Sequence, residues 1–333
     1  MMFNVAMISR WHPHAVENRY VNQLNNIPNT KITCVWDFDG KRGRDWANEL
    51  GADFEGDLDK LLARPDVDGI CVTAPTNMHK EIIIKAARAK KHVFTEKALA
   101  MNYEEASEIK KEADKAGIKL GIAFPRRAAR EYLYAKQLFD DGQFGTVALM
   151  RVRNAVTINA KFEEHWFKSE PVGGGGAIRD LGCHNIDVAC WILGEPEEIN
   201  TMGGFTRGFD VDDTAVCNIK FKNGAVATID SSFSEPLCYN WFSFEMYGSK
   251  MSYIADSANV TIIRNTDPES VLGEKEIIGI KSLPDGYKIP IAQWVEACTS
   301  GGKLVCDADA GVLVNKVLDA ADIASKEKRT VKI

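Results

Sequence analysis

Short apolar runs alternate with helix-length segments over residues 3–123, and this alternation restricts the fold more than any other feature of the sequence. Strands separated by helices imply right-handed crossovers and a parallel sheet covered by helices on both faces. The apolar runs predict strands at 3–8, 31–36, 68–73, 92–95 and 119–123. The intervening segments predict helices at 15–26, 42–50, 57–63, 77–89 and 102–116.

The pattern changes after Gly145, where consecutive strand-like runs follow one another with few helices between them. Asn223-Gly224 between two such runs predicts a hairpin, so this sheet is expected to be mainly antiparallel. The predicted strands are 147–158, 215–221, 225–233 and 241–247, and the predicted helices are 128–140, 185–193, 291–299 and 308–326. An α/β fold follows, with domains at 1–124 and 125–333, and the last helices could pack back on the first domain.

Composition excludes several classes of protein. No apolar run of the 333 residues is long enough to span a bilayer, and the first residues do not resemble a signal peptide, so a cytoplasmic protein is expected. The net charge of −6 argues against a nucleic-acid partner. The eight cysteines form no CxxC pair, which argues against structural zinc, and no metal site is predicted.

The loop after the first strand is the first candidate for a nucleotide site, because ligands of open α/β sheets bind beyond the carboxyl ends of the strands. The loop reads SRWHPHA at 9–15 and lacks the G-x-G-x-x-G fingerprint. Pro13 is well placed in the first turn of a helix, whose free amides could still bind phosphate. Ser9, Arg10, Trp11 and His12 are therefore predicted to contact the cofactor. A Rossmann-like domain without a nucleotide remains the alternative.

Asp37, which follows the second predicted strand, is a candidate for the cofactor's ribose. A carboxylate here accepts hydrogen bonds from both ribose hydroxyls of NAD and repels the 2′-phosphate of NADP. NAD is therefore the predicted cofactor. Arg42, a further predicted cofactor contact, could offset this preference together with Lys41, so NADP is not excluded. Alternatively, Asp37 begins a turn with Asp39.

The next strand ends in a tight turn into a helix, over the sequence APTNMH at 74–79. Asn77 is the expected N-cap of this helix. Ala74, Pro75, Asn77 and His79 are predicted to lie near the cofactor, although a lone histidine is usually structural.

The reaction centre is expected at two further places. Glu96 and Lys97 follow another parallel strand, where a desolvated lysine could hydrogen-bond a substrate oxygen. Four glycines at 173–176 precede Asp180 and His184, whose spacing of four puts them on one face of a helix. His184 suits the base for a hydroxyl proton, and Asp180 and Lys97 could hold substrate hydroxyls.

Two alternatives stay open for the glycine segment. It could be a glycine turn before a capped helix with a buried histidine. A metal site from Asp180, His184 and Asp187 is less favoured, because no further ligand cluster is present.

Together these motifs resemble the glucose–fructose oxidoreductase, inositol dehydrogenase and MocA (Gfo/Idh/MocA) family over almost the whole chain. The resemblance rests on APTNMH at 74–79, FTEKALA at 94–100, FPRR at 124–127 and GGGGAIRDLGCHNID at 173–187. It implies an N-terminal Rossmann domain and a C-terminal α/β domain with an open-faced, mainly antiparallel sheet, through which members pair as dimers or tetramers.

The resemblance also assigns roles to residues. Lys97, Asp180 and His184 match the family's catalytic residues, Trp166 matches a tryptophan near the substrate, and Arg127 matches an arginine at the domain junction, here expected to contact the cofactor. Two departures stand out. SRWHPHA replaces the glycine loop, and Ala98 replaces the proline of Glu-Lys-Pro.

The expected function is hydride transfer between nicotinamide and a secondary alcohol of a sugar, glycoside or cyclitol. One alternative is a redox-neutral enzyme that oxidises a sugar transiently and cleaves a glycosidic bond. Another is a nucleotide-sensing regulator without catalysis.

Overall fold

A computed structural model describes residues 2–157, 172, 175–235, 242–266 and 272–333 of the chain. Trp166, a predicted substrate contact, and the glycines at 173 and 174 lie outside the described residues. Within the described residues, no helix is long and apolar enough to cross a membrane.

The chain forms two compact units. The first comprises Met1–Pro125 and Lys288–Asn315, and the second comprises Arg126–Tyr287 and Lys316–Ile333. The segment from Lys288 to Asn315 therefore belongs with the first unit, although it lies between the two parts of the second unit in sequence.

The first unit contains a parallel sheet of six strands in the described residues, in the order β3-β2-β1-β4-β5-β6. The strands are β1 (Phe3–Ile8), β2 (Thr30–Trp36), β3 (Asp53–Phe54), β4 (Gly69–Val72), β5 (His92–Thr95) and β6 (Leu120–Ile122). The helices are α1 (Pro13–Val16), α2 (Arg19–Asn25), α3 (Gly40–Leu50), α4 (Leu58–Ala63), α5 (Thr76–Arg88) and α6 (Tyr103–Ala116). This strand order is that of a Rossmann sheet, as predicted.

The second unit contains a mixed, mainly antiparallel sheet, which has nine strands in the described residues. Their order is β14-β13-β12-β11-β7-β10-β9-β8-β15, and only β7 and β10 run parallel. The strands are β7 (Val147–Ala155), β8 (Pro196–Gly204), β9 (Thr214–Phe221), β10 (Val226–Ser232), β11 (Phe242–Gly248), β12 (Met251–Ala255), β13 (Asn259–Arg264), β14 (Glu274–Gly279) and β15 (Val331–Lys332). The predicted hairpin joins β9 to β10.

The remaining helices complete both units. They are α7 (Arg130–Asp140), a π-helical segment (Ile178–Gly182) that leads directly into α8 (Cys183–Leu193), α9 (Pro290–Ser300) and α10 (Ala308–Glu327). Short 3-10 segments lie at Pro125–Ala128 and Ile280–Ser282.

The helix predicted at 15–26 is wrong, because the structure has two short helices there. Asn18 adopts a left-handed conformation with φ of 54°, which ends α1 and begins α2. Asparagine tolerates this conformation better than most residues, so apolar periodicity alone did not reveal the break. The strands β8, β12, β13 and β14 were also not predicted.

The packing of Trp294 in α9 explains why the segment from Lys288 to Asn315 belongs to the first unit. The indole is fully buried and packs in the apolar core with Phe3 and Phe94. Gly69 and Gly121 make room for it, since a Cβ at these positions would lie 2.8 and 3.2 Å from Trp294 atoms. Burying so large a side chain stabilises the pairing of α9 with the parallel sheet.

Candidate active site

One candidate region, in the first unit, lies where β1 and β4 are neighbours and the strand order of the parallel sheet reverses. Loops after these strands form the crevice in which such sheets bind ligands. Thr73 joins the two strand ends, because its hydroxyl donates to the carbonyl oxygen of Ser9 over 2.5 Å.

The loop after β1 uses its backbone amides within the protein. Ser9 N donates to Trp36 O, and His12 N donates to Thr73 O. The side chain of His12 caps α1, with Nδ1 accepting from His14 N over 3.1 Å. The helix start was predicted to offer free amides to phosphate. The amides of His12 and His14 are instead engaged in hydrogen bonds within the protein. α1 has four residues and Pro13 carries no N–H.

His12 and the partly exposed His14 of this loop cluster with the buried Tyr20 and Glu96. Glu96 Oε1 is 2.6 Å from His14 Nδ1 and accepts from the Tyr20 hydroxyl over 2.5 Å. Burial works to raise the pKa of Glu96, but the two histidines and Lys97 outweigh it and hold that pKa well below its usual value. The nearest side-chain nitrogen and oxygen atoms of His12, His14 and Glu96 lie within 4.8 Å of one another, and the contact between His14 and Glu96 is a hydrogen bond.

Asp37 is almost fully buried at the end of β2, and its carboxylate is held by Arg42. Arg42 Nε donates to Oδ2 over 2.8 Å and Nη2 donates to Oδ1 over 2.6 Å. The amides of Arg10 and Asp39 donate to the same two oxygens. The side chain of Arg10 forms an ion pair with Glu49 instead. Asp37 thus lies where a ribose contact was predicted, with its oxygens already engaged.

His79 connects the loops that follow β4 and β5. Its Nε2 is 3.1 Å from Ala74 O, and its Nδ1 is 3.1 Å from Ala98 O, next to Lys97. Burial lowers the pKa of His79, so the ring is neutral at pH 7. Asn77 is exposed in the first turn of α5, whose N-cap is Pro75, so the predicted cap at Asn77 is wrong.

Lys97 is buried directly after β5, with 5% of its surface exposed. Its amide donates to Glu96 Oε2 over 3.3 Å. The peptide bond between Lys97 and Ala98 is cis. The structure therefore places Lys97, Glu96 and His79 together at the carboxyl end of the parallel sheet.

Another candidate region, in the second unit, is formed by the π-helical segment and α8. From Gly176 to Cys190, every residue is buried except Asp180 and His184, which are partly exposed. A π-turn at Ile178–Gly182 holds Asp180, and irregular turns of this kind are frequent at functional sites. The sequence spacing thus predicted two polar side chains that the structure presents from an otherwise buried helix.

Gly176 fixes where this segment begins. A Cβ there would lie 1.9 Å from the carbonyl oxygen of Asp212, which accepts from Ala177 N over 2.8 Å. The Asp212 side chain accepts from Ile178 N, and burial raises the pKa of Asp212 to about 6. Glycine is required at position 176 because the two backbones approach so closely.

Arg127 and Asp187 form a buried ion pair within the second unit. Arg127 Nη2 and Nε donate to Asp187 over 2.6 and 3.0 Å, and the Asp187 side chain is not exposed at all. Asp187 therefore engages Arg127 on the buried side of α8. Next to this pair, Arg126 donates to Asn185, whose amide reaches the carbonyl oxygen of Val152.

Both units match models of one protein family. Residues 15–124 match the model described as oxidoreductase family, NAD-binding Rossmann fold. Residues 132–254 match the GFO/IDH/MocA C-terminal domain. A Rossmann sheet followed by this second sheet defines a class of NAD-binding oxidoreductases that act on CH–OH groups. The chain belongs to the GFO/IDH/MocA family, which confirms the resemblance drawn from its motifs.

Relatives with assigned activities differ in the reaction they perform. The myo-inositol 2-dehydrogenase of Thermotoga maritima is 27% identical over 94% of both chains. The 2,7-anhydro-N-acetylneuraminate hydratase of Escherichia coli is 31% identical over 72% of this chain and 64% of its own length. Levoglucosan dehydrogenase, solved with NADH and levoglucosan, has a TM-score of 0.87 at 20% identity and covers 100% of both chains.

NAD is the family's cofactor, and the first unit has polar groups that fit it. The hydroxyl oxygens of Ser9 and Thr95, at the ends of β1 and β5, are buried without a hydrogen-bond partner in the described residues. Buried hydroxyls usually have partners, so a polar ligand would satisfy them. The family match begins at residue 15, the last residue of the SRWHPHA loop. This loop has residues with side chains at the positions where glycines are usual.

Several residues of the site were not predicted from sequence. Tyr20 and His14 hold Glu96, and Arg179 anchors the π-helical segment through ion pairs with Asp319 and Asp322. The distance of Arg179 from these partners in sequence left no local pattern to find. The HPH sequence was the available signal for His14.

Proposed function

We propose that this chain catalyses reversible hydride transfer between NAD and a secondary alcohol of a sugar, glycoside or cyclitol, and that Lys97, Asp180 and His184 carry the reaction. The observation that supports it most is the partial exposure of Asp180 and His184 within a segment that is otherwise buried. Ligand sites are mostly apolar with a few placed polar groups, and an acid and an imidazole that alone reach the surface of this segment fit that pattern.

The proposed roles follow from the chemistry of each side chain. His184 accepts the hydroxyl proton of the substrate on its imidazole as the carbon–hydrogen bond breaks. Asp180 accepts a hydrogen bond from a hydroxyl and so orients the reacting carbon. Lys97 donates to the oxygen that becomes a carbonyl, where its positive charge stabilises developing negative charge. Bound NAD supplies the nicotinamide carbon that takes up the hydride.

Neighbouring side chains restrict the backbone position of Lys97. Glu96 lies beside it as a buried carboxylate, and His79 holds the carbonyl oxygen of Ala98 on the other side. These contacts restrict the backbone around Lys97, which lowers the cost of orienting its side chain toward a substrate.

The test is a turnover assay with NAD and a panel of sugars, glycosides and cyclitols, followed by the absorbance of NADH. His184→Asn should lower kcat by about 10²- to 10⁴-fold, the usual contribution of a general base, and leave NAD affinity unchanged. His92→Gln, which removes a half-buried imidazole from β5, is the matched control and should keep full activity. Near-normal turnover by the His184 variant would contradict its role.

A redox-neutral reaction is the second candidate, and the relative named a hydratase favours it. Oxidation of a ring carbon acidifies its neighbour, so a glycosidic bond could be eliminated and the cofactor regenerated. In that case substrate would disappear with catalytic amounts of NAD and no net NADH. Product analysis beside the absorbance assay separates the two reactions.

We also propose that the chain forms a homodimer or homotetramer through the sheet of the second unit. β9 alternates buried and exposed residues, so one of its faces is available. On that face Met202 and Val216 are direct cross-strand neighbours, 79% and 41% exposed. Adjacent exposed apolar side chains on a sheet favour a protein partner.

A further inference from the structure

The carboxylate of Asp37 has no acceptor position left for a ribose. Oδ1 accepts from Asp39 N at 2.9 Å and from Arg42 Nη2, and Oδ2 accepts from Arg10 N at 2.7 Å and from Arg42 Nε. An ionised carboxylate offers about four lone-pair positions, and these four donors fill them. The ribose hydroxyls of NAD could bind Asp37 only by displacing one of these donors.

Arg42 is held by this contact with part of its guanidinium still available. The group carries five N–H bonds, of which Nε and one hydrogen of Nη2 point to Asp37. Its other N–H groups have no acceptor in the described part of the chain. The side chain is 30% exposed, and its guanidinium carbon lies 4.6 Å from the centre of the Phe38 ring. Asp37 and Phe38 together hold the fork in one orientation.

The charge at this strand end differs from what the sequence implied. A free Asp37 would repel a 2′-phosphate, but the Asp37–Arg42 pair is neutral and presents the cationic partner outward. Arg44 adds a second positive charge on the same helix. It lies over the Phe54 ring at 5.3 Å, and no ion pair to it occurs within the described residues. A neutralised carboxylate and an oriented guanidinium suit a phosphate better than a diol.

We propose that Arg42, positioned by Asp37, determines nucleotide choice and lets the first unit bind NADP as well as NAD. This inference rests on the proposed function, since it concerns the cofactor of the same reaction. The fork of Arg42 donates to the 2′-phosphate oxygens of NADP. With NAD, the same N–H groups meet the 2′-hydroxyl oxygen, and Asp37 remains a positioning residue that does not touch the ribose.

The test is calorimetric titration of the full-length protein with NADH and NADPH, and with AMP and adenosine 2′,5′-bisphosphate, which probe the adenosine subsite without turnover. The wild type should bind NADPH within about tenfold of NADH. Arg42→Ala should weaken NADPH and the bisphosphate by about tenfold to a hundredfold, the worth of a charged hydrogen bond, and weaken NADH and AMP much less.

Two further variants make the result specific. Arg42→Lys keeps the charge without the fork and should recover only part of the NADPH affinity. Arg88→Ala, which removes an exposed arginine that pairs with Glu112 on another helix of the same unit, should leave all four affinities unchanged. The melting temperature of each variant identifies any that fails to fold. If Arg42→Ala fails to fold, Arg42→Lys still tests the inference.

Four outcomes of the affinity measurements would contradict the inference. Tight NADH binding with no NADPH binding by the wild type would overturn the inference and leave the proposed function intact. Equal weakening of both nucleotides by Arg42→Ala would also overturn it, because Arg42 would then be a general contact. Stronger NADH binding by Arg42→Ala would show that Arg42 blocks Asp37, which contradicts the positioning role. Failure of the wild type to bind any nucleotide would remove the proposed function as well.

Discussion

Replacing Arg127 with leucine tests whether this arginine supports the fold or contacts the cofactor, as its match to the family implies. The change leaves the Asp187 carboxylate buried without its cation, because that side chain has no exposed surface. Breaking a buried ion pair from one side costs about 3–5 kcal/mol. A unit of this size loses about 2–4 °C in Tm per kcal/mol, so Arg127→Leu should lower Tm by about 10 °C.

The assay is thermal unfolding followed by circular dichroism, with NADH titration of the folded protein. Replacing both partners, Arg127→Leu with Asp187→Leu, should recover most of the loss because no charge is then left buried. Arg151→Leu is the matched control, since Arg151 is 58% exposed and lies 3.7 Å from Glu245. Such an exposed pair is worth about 1 kcal/mol or less.

One result would refute this reasoning. If Arg127→Leu melts with the Arg151→Leu control and loses NADH affinity, then Arg127 is a cofactor contact and the pair with Asp187 contributes little. Loss of stability with unchanged NADH affinity would confirm the structural role.

Two more predictions concern pH and assembly. Because burial lowers the pKa of His79, the unfolded chain binds a proton below about pH 6.5 that the folded chain does not, so unfolding free energy should fall by up to about 1.4 kcal/mol per pH unit toward pH 5. Asp212, with its pKa raised to about 6, acts in the opposite direction, so the measured quantity is the difference in slope between wild type and His79→Gln in urea unfolding. Equal slopes would contradict a neutral, buried His79. Val216→Asp should shift the mass measured by light scattering toward the monomer, because it charges the exposed apolar pair, while Asn22→Asp on the exposed surface of α2 in the first unit should not. An unchanged mass would place the interface elsewhere.

The architecture of the first unit was largely predictable, because a parallel sheet buried on both faces requires continuous apolar runs that the sequence displays. The hairpin of β9 and β10 was predictable for the same kind of local reason. β12, β13 and β14 were missed, since each spans only five or six residues, a run too short to separate a strand from other structure by its period. The break at Asn18 depended on a single left-handed residue.

Some features of the candidate site were likewise predictable from local sequence, and others were not. Local spacing identified Asp180 and His184, because residues four apart share a helix face whatever surrounds them. The strand ends likewise identified Lys97 as a candidate. The sequence could not show that Asp180 and His184 are partly exposed while Lys97 is buried, since exposure depends on what packs around each side chain.

By itself the sequence determined the parallel sheet of the first unit, the family, and the side chains offered to the chemistry. These properties follow from periodicity and from short motifs, which are local. Only the tertiary structure decided how the charges pair: Arg42 with Asp37, Arg127 with Asp187, and Arg179 with Asp322. A charged group removed from water must find a partner, and the partner is whichever opposite charge the fold brings within hydrogen-bond distance. For that reason Asp37, which the sequence predicted to accept hydrogen bonds from a ribose, instead accepts them from Arg42 in the folded protein.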